Sequence, residues 1–404
     1  MTVGKRWDLA ALASIPLIMT LANSMLIPVL PLMQKKLNIS SVQSSLIITV
    51  YAAVSILCIP IAGYLSDRFG RKVVIIIGLS IAAVGGLISG LAAWLMDSHV
   101  YVVILAGRFI QGIGAAGAFP IVLPLVGDMF ESEEEVSSGL GMIETANTFG
   151  KVLSPVLGSA LALVIWFLPL AVIPFISLIA ILGVIFFVKV PKQKSNEKNS
   201  FSNFFQSLKA ILAQKGHWLY ATFAIGGISM FIMFGFLYYL SSVLEDHYHI
   251  EGIWKGLVLA IPLIAICLAS FITGKMVGEN KNRMKWLIVV GTAMLAIMMF
   301  TCGVMNTKGL MFLLTFMFVS GAGIGLALPS LDALITEGIE KKQRGTITSL
   351  YSSARFIGVA AGPLIASWLL TKEAFLFYLF AGFALLCTVL ALLTIKPSKD
   401  EKAA

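Results

Sequence analysis

Charge is what this chain is short of. Only 12% of its 404 residues are Asp, Glu, Lys or Arg, against roughly 25% in a water-soluble domain. With 58% hydrophobic residues, so few charges cannot cover a surface facing water, and lipid is the implied solvent. Cysteine is scarce too. Cys58, Cys267, Cys302 and Cys387 stand singly inside apolar runs, so no disulfide framework or zinc site is implied. Of the four histidines, only His247 and His249 are close in sequence, and without a third ligand they make a poor metal site. No metal or cofactor is expected. No cluster of His, Asp or Ser at one membrane face suggests an enzyme, and no filter-like repeat suggests an ion channel. The net charge of +9 lies in short clusters between apolar runs, not in one stripe, which argues against a nucleic-acid partner.

What the chain does have is long apolar stretches. About 20 apolar residues cross a bilayer as a helix, because every backbone polar group in lipid must be satisfied within its own segment. Twelve crossings are expected, at 8–33, 44–66, 73–96, 101–127, 137–165, 168–189, 217–242, 253–277, 285–306, 310–336, 346–371 and 374–396. The basic start, Met1 to Arg6, imitates a secretory signal. The apolar run behind it exceeds the roughly 7–15 residues of a signal core, so it is read as a retained first helix. A cytoplasmic N-terminus puts 21 Lys and Arg in inside segments and 5 outside. Both termini are therefore expected in the cytoplasm, and the short loops suit a bacterial plasma (inner) membrane.

The long polar segment at 190–216 divides the chain. Its lysine-rich start reads as a linker. Phe201, Phe204, Phe205, Leu208, Ile211 and Leu212 then recur at helical spacing, as in an amphipathic helix lying on the inner leaflet. The expected domains are a six-helix bundle at 1–190, a linker with this helix at 191–216, and a second six-helix bundle at 217–404. The halves echo each other. Gly112, Gly114, Pro120 and Pro155 return as Gly321, Gly323, Pro329 and Pro363, at offsets of 208 or 209 residues. Two pseudo-symmetric six-helix bundles of this kind mark a rocking transporter with a midplane site.

Three motifs carry the chemistry. After the second helix stands Gly63-Tyr-Leu-Ser-Asp67-Arg68-Phe-Gly70-Arg71-Lys72. Gly63 permits close helix approach, and Asp67 with its arginines can hold a gate shut by charge-assisted hydrogen bonds. The fourth helix carries Arg108, Gln111 and Gly112; an arginine so deep must face a cavity or a partner. It is read as a coupling residue, as a structural one bonded to backbone carbonyls of broken helices, or as both at once. The fifth helix carries Gly141, Gly150, Ser154, Pro155 and Gly158. Its small residues allow close packing against the eighth helix, and its proline kinks it.

In this order on these helices, the motifs resemble those of the major facilitator superfamily. The resemblance implies an all-α, twelve-helix major facilitator fold. It implies that Asp67 and Arg71 bind across to the other half and to an acid ending the fourth helix, here Asp128. It also links Arg108 to proton coupling. The fifth-helix motif is similar to that of drug–proton antiporters, with Ser154 and Ser159 where the family has Gly. The second half's copy of the gate motif, Gly274 to Arg283, has Gly278 in place of the acid. The loop Glu131-Ser-Glu133-Glu134-Glu135 is acidic where the family is basic.

Glu144, Asn147 and Lys151 share one face of the fifth helix, at i, i+3 and i+7. Glu144 is the clearest acid within a crossing and is expected to take the coupling proton; a structural Glu144–Lys151 pair is the competing reading. Arg355 matches Asn147 in the second half. Arg108, Lys151 and Arg355 make the interior more basic than acidic, which suits neutral, zwitterionic or anionic substrates over cations. Asp332 and Glu337 are expected to be solvated. Asn23, Tyr51, Gln111, Tyr238 and Tyr239 are candidate cavity residues, with a packing or interfacial role open for each tyrosine.

The expectation is a monomeric, proton-coupled antiporter, not an enzyme, that exports lipophilic small molecules or drugs by alternating access. Its partners are a small-molecule substrate, protons and the lipid bilayer. Export or flipping of a sugar, metabolite or glycolipid remains open. A transporter-fold sensor is the remote alternative, and would need a signalling domain.

Overall fold

The computed structural model describes residues 3–130, 133–189, 216–277, 280–305, 309–339 and 341–395. Of the expected linker with surface helix at 191–216, residues 191–215 lie outside these residues, as do Glu131 and Ser132 of the acidic loop and Gly278. Described side chains are fewer still, and Glu337 is not among them.

Twelve helical segments follow one another. Helix one runs Val3–Ser24, breaks through a tight turn at Ile27–Val29, and resumes as Leu30–Leu37. Helices two to five are Ser41–Phe69, Arg71–Leu95, Val100–Met129 and Glu133–Val164. Helix six is a turn at Leu168–Ala171 followed by Ile173–Phe187. Helices seven to twelve are His217–Asp246, Gly252–Val277, Lys281–Met305, Leu310–Gly338, Lys341–Leu369 and Glu373–Thr394. Among the described residues, 11 helices are long and apolar enough to cross a membrane. Helix eleven is more polar, because Thr348, Ser349, Ser352, Ser353 and Arg355 interrupt its apolar face.

Local chemistry sets the ends. Ser40 caps helix two, accepting from the Gln43 amide at 3.2 Å, while the Gln43 side chain accepts from the Ser40 amide at 2.8 Å. This reciprocal pair satisfies two donors the helix cannot use. Gly70 ends the same helix at φ +95°, a conformation that a Cβ would strain. The expected break between the crossings 137–165 and 168–189 falls at residues 165–167.

By internal contacts the chain forms two compact units. The first is Met1–Phe204 with Phe234–Ala260 and Val359–Trp368; the second is Phe205–Met233, Ile261–Gly358 and Leu369–Ala404. In the first, helices three and four touch backbone to backbone: a Cβ on Gly114 would stand 2.3 Å from the Ala82 nitrogen. In the second, helices nine and ten do the same: a Cβ on Gly323 would stand 2.4 Å from the Gly291 oxygen. Gly114 and Gly323 are related by the sequence repeat, and so are Ala82 and Gly291. The repeat therefore preserves a packing contact as well as a motif. Close approach of small residues is how helices associate where lipid removes the hydrophobic drive.

Large apolar side chains point outward from each unit. Leu57 is 73% and Trp94 68% exposed in the first, and Met311 78% in the second. Exposure on this scale is untenable in water and ordinary in lipid.

Candidate transport site

The break in helix one organises the first unit. Pro28 and Pro31 lack the amide hydrogens a continuous helix needs. One bond at the break is long, the Leu26 amide reaching the Asn23 oxygen at 3.4 Å, while the Val29 and Leu30 amides both converge on the Leu26 oxygen at 2.9 Å. Non-helical backbone at membrane depth survives only where protein or cavity water surrounds it. Here protein does. Ser241 donates to the Ile27 oxygen at 3.0 Å, and Gly158 of helix five lies against the Met25 carbonyl so closely that no side chain would fit.

Arg108 of helix four sits beside this break, with 0% exposure. Its Nε donates to the Ile47 oxygen at 2.8 Å and one Nη to the Ala22 oxygen at 3.4 Å. Its other bonds go to the side-chain oxygens of Gln111 and Asn23. The Tyr51 ring lies 4.4 Å from the guanidinium carbon. Arg108, Asn23, Gln111 and Tyr51 thus form one buried polar knot joining helices one, two and four. This is the geometry of the structural reading of Arg108. Bonds to a charged group contribute roughly 1.5–3 kcal/mol each, and removing one partner strands the others. The Gln111 amide nitrogen has no hydrogen-bond partner among the described residues.

Helix five presents its polar stripe to helix one. Asn147 donates to both oxygens of Glu144, at 3.2 and 3.3 Å, and accepts from the Thr20 hydroxyl at 2.6 Å. Glu144 is half-buried; Asn147 and Lys151 are buried. Helix one therefore serves both sites: Thr20 faces helix five, while Ala22 and Asn23 bond the arginine of helix four. The small-residue motif, expected against helix eight, places two of its glycines, Gly150 and Gly158, on helix one and meets helix eight at Pro155. Gly150 faces the Leu17 carbonyl, and Pro155 lies against Gly256 of helix eight, where an added Cβ would stand 2.5 Å from the Pro155 oxygen. Ser154 turns its hydroxyl onto the Gly150 carbonyl. Gly141 has open space around it.

Arg71 pairs with Asp128 at 2.9 Å and with Asp67 at 3.7 Å, so the loop after helix two is tied to the end of helix four. Gly70 supplies the turn between helices two and three. Gly63 lies a turn before Asp67, its carbonyl accepting from Ser66 at 2.7 Å. Arg68 is exposed and stacks on Phe69. Tyr238 and Tyr239 are buried. Tyr238 donates to the Ser41 oxygen at 2.9 Å and lies 3.2 Å from the Ser44 hydroxyl, at the end of the first unit away from Gly70.

In the second unit the structure corrects one expectation. Asp332 is not simply solvated. It pairs with Arg355 across helices ten and eleven at 3.6 Å, with 35% exposure against 15% for the arginine. Arg355 also lies over the Tyr351 ring. Sequence reading placed Asp332 by its nearness to the helix end and overlooked that Arg355, so deep, needs an anion. Thr20 was missed as well, although it lies three residues from Asn23. Among the described residues no group of three or more His, Cys, Asp or Glu suits a metal ion.

Comparison with known proteins fits this geometry. The profile described as Major Facilitator Superfamily matches residues 12–363 and 282–404. The bacillibactin exporter of Bacillus subtilis is 50% identical over 397 residues, covering 98% of each chain. Multidrug resistance protein 2 of the same organism is 27% identical, covering 95% of this chain and 94% of its own. The crystal structure of the human organic anion transporter MFSD10 superposes with a TM-score of 0.73 at 19% identity, covering 97% of this chain and 100% of that one. The chain belongs to the Major Facilitator Superfamily, and it is a multi-pass membrane transporter rather than an enzyme.

Proposed function

We propose that this chain exports bacillibactin, or a siderophore of the same class, across a bacterial plasma membrane in exchange for protons. Its two halves alternate access, and its termini are cytoplasmic. The observation that carries the reading is the end-to-end 50% identity with the bacillibactin exporter, set against 27% with the multidrug protein. The cationic interior, with Lys151 and Arg355 buried or nearly so, favours neutral or anionic cargo over cations.

Glu144 takes the proton. As an anion it only accepts hydrogen bonds, and the Asn147 amide donates to it. Once neutral it adds an O–H donor to its remaining acceptor oxygen, and the Asn147 side-chain oxygen is the neighbour that can take this new hydrogen. That oxygen is the acceptor of Thr20, so protonation at helix five is felt on helix one. Asp332 is a second carboxylate facing a cation, and its pair with Arg355 competes with an anionic substrate for the same guanidinium.

Inside-out vesicles with an acid interior test the reading. Bacillibactin should accumulate while the pH gradient lasts and stop when a protonophore collapses it. A lipophilic cation should accumulate much less. Preference for the cation would make this a multidrug exporter. Accumulation indifferent to the gradient would end the proton-coupled reading.

A further inference from the structure

At the end of the first unit away from Gly70, helices one, seven and eight bring several charges together. Glu245 is 5% exposed and lies between two lysines. Its Oε2 accepts from Lys255 at 2.7 Å, and its Oε1 faces Lys35 at 2.8 Å. Lys255 is 2% exposed and Lys35 54%. Asp246, well exposed, stands 3.6 Å from Lys35. Beside this knot runs a seam of hydroxyls. Ser45 and Ser367 meet at 3.1 Å, Thr49 donates to the Ala360 oxygen at 2.8 Å, and Tyr238 reaches the Ser41 oxygen at 2.9 Å. The seam and the knot fasten helices one and two to parts of helices seven, eight and eleven that belong, in sequence, to the other half.

We infer that the Lys35–Glu245–Lys255 knot is a latch with one permanent arm and one releasable arm, holding this end shut between transport steps. The inference rests on the alternating-access reading, since a protein that never opens here needs no latch. Burying a carboxylate with a single cation creates a trap: separating the pair strands a charge, at a cost of several kcal/mol. Glu245 escapes the trap because it has two cations. Lys255 comes from the same half, ten residues on, and travels with it. Lys35 comes from helix one, is half in solvent, and rehydrates cheaply when it lets go. The hydroxyls of the seam behave likewise, since water replaces each of their bonds. The latch therefore opens without leaving Glu245 unpaired. Exchanging the burial of the two lysines would lose that property.

A reporter cysteine tests it. Ser45→Cys is introduced into the full chain, which is then placed in nanodiscs without substrate. The rate of labelling by a water-soluble maleimide is read against the parent protein, whose four cysteines set the background. Ser367→Cys is read in parallel, in case the first reporter itself disturbs the seam. Lys35→Gln should raise the labelling rate about fivefold, which corresponds to ~1 kcal/mol. Lys35→Arg should leave it low. Labelling of both reporters at the parental rate in Lys35→Gln would overturn the latch. Because no cargo is present, the readout does not depend on whether bacillibactin is the substrate. Failure of transport with successful labelling would refute the substrate and leave the latch standing.

Discussion

Two arginines, one in each half, show two uses of the same buried cation. Arg108 is completely enclosed and bonded to two backbone carbonyls and two side-chain oxygens that have no freedom to leave. Arg355 retains 15% exposure and faces a carboxylate at 3.6 Å. The first guanidinium joins a broken helix to two continuous ones. The second has a single, longer-range counter-ion that is itself partly exposed. A deep charge in a membrane protein marks function by default, but the kind of function depends on whether its partners can be exchanged.

The comparison breaks most visibly at Arg108. Arg108→Met should cost about 1–3 kcal/mol for each buried acceptor it leaves without a donor, namely Asn23, Gln111 and two carbonyls. Thermal unfolding in detergent, and the yield of folded protein, check it. Arg355→Gln should leave the melting temperature near wild type and instead raise the transport KM about tenfold, the ~1.4 kcal/mol expected of one lost charge contact with an anion. If both variants unfold alike, the distinction is lost. Glu144→Gln should keep the fold and substrate exchange but abolish accumulation driven by a pH gradient, as vesicle assays will read. Asp332→Asn should have the smallest effect, lowering KM for an anionic substrate about threefold by removing the competitor for Arg355. A rise in KM would instead make Asp332 a substrate ligand.

The elements came through in the sequence because lipid enforces them. Each crossing must be helical and apolar, so the helix limits follow from hydropathy, and the Gly and Pro repeat follows from close packing. Helix eleven is the instructive case. Its first half is polar, yet the apolar run behind it was enough to place a crossing at 346–371, and Pro363 in the repeat agrees with that place. Partners across helices were harder to read. Arg71 and Asp128 were found because a motif links them. Asp332 and Arg355 are 23 residues apart on different helices, and nothing in local periodicity ties them. The break in helix one was open to view in Pro28 and Pro31, but proline is common enough in membrane helices that it signalled nothing by itself. Lys255 counted as a loop charge until its burial appeared.

The interrupted first helix has a mechanical consequence. A straight rod pushed at one end must swing at the other. This one has a joint at residues 25–29, and its two pieces are moored to different neighbours: Leu17 to Gly150 of helix five, and Lys35 to Glu245 of helix seven. Displacement of the second piece, Leu30–Leu37, can be absorbed at the joint while the first, Val3–Ser24, keeps its grip on Arg108.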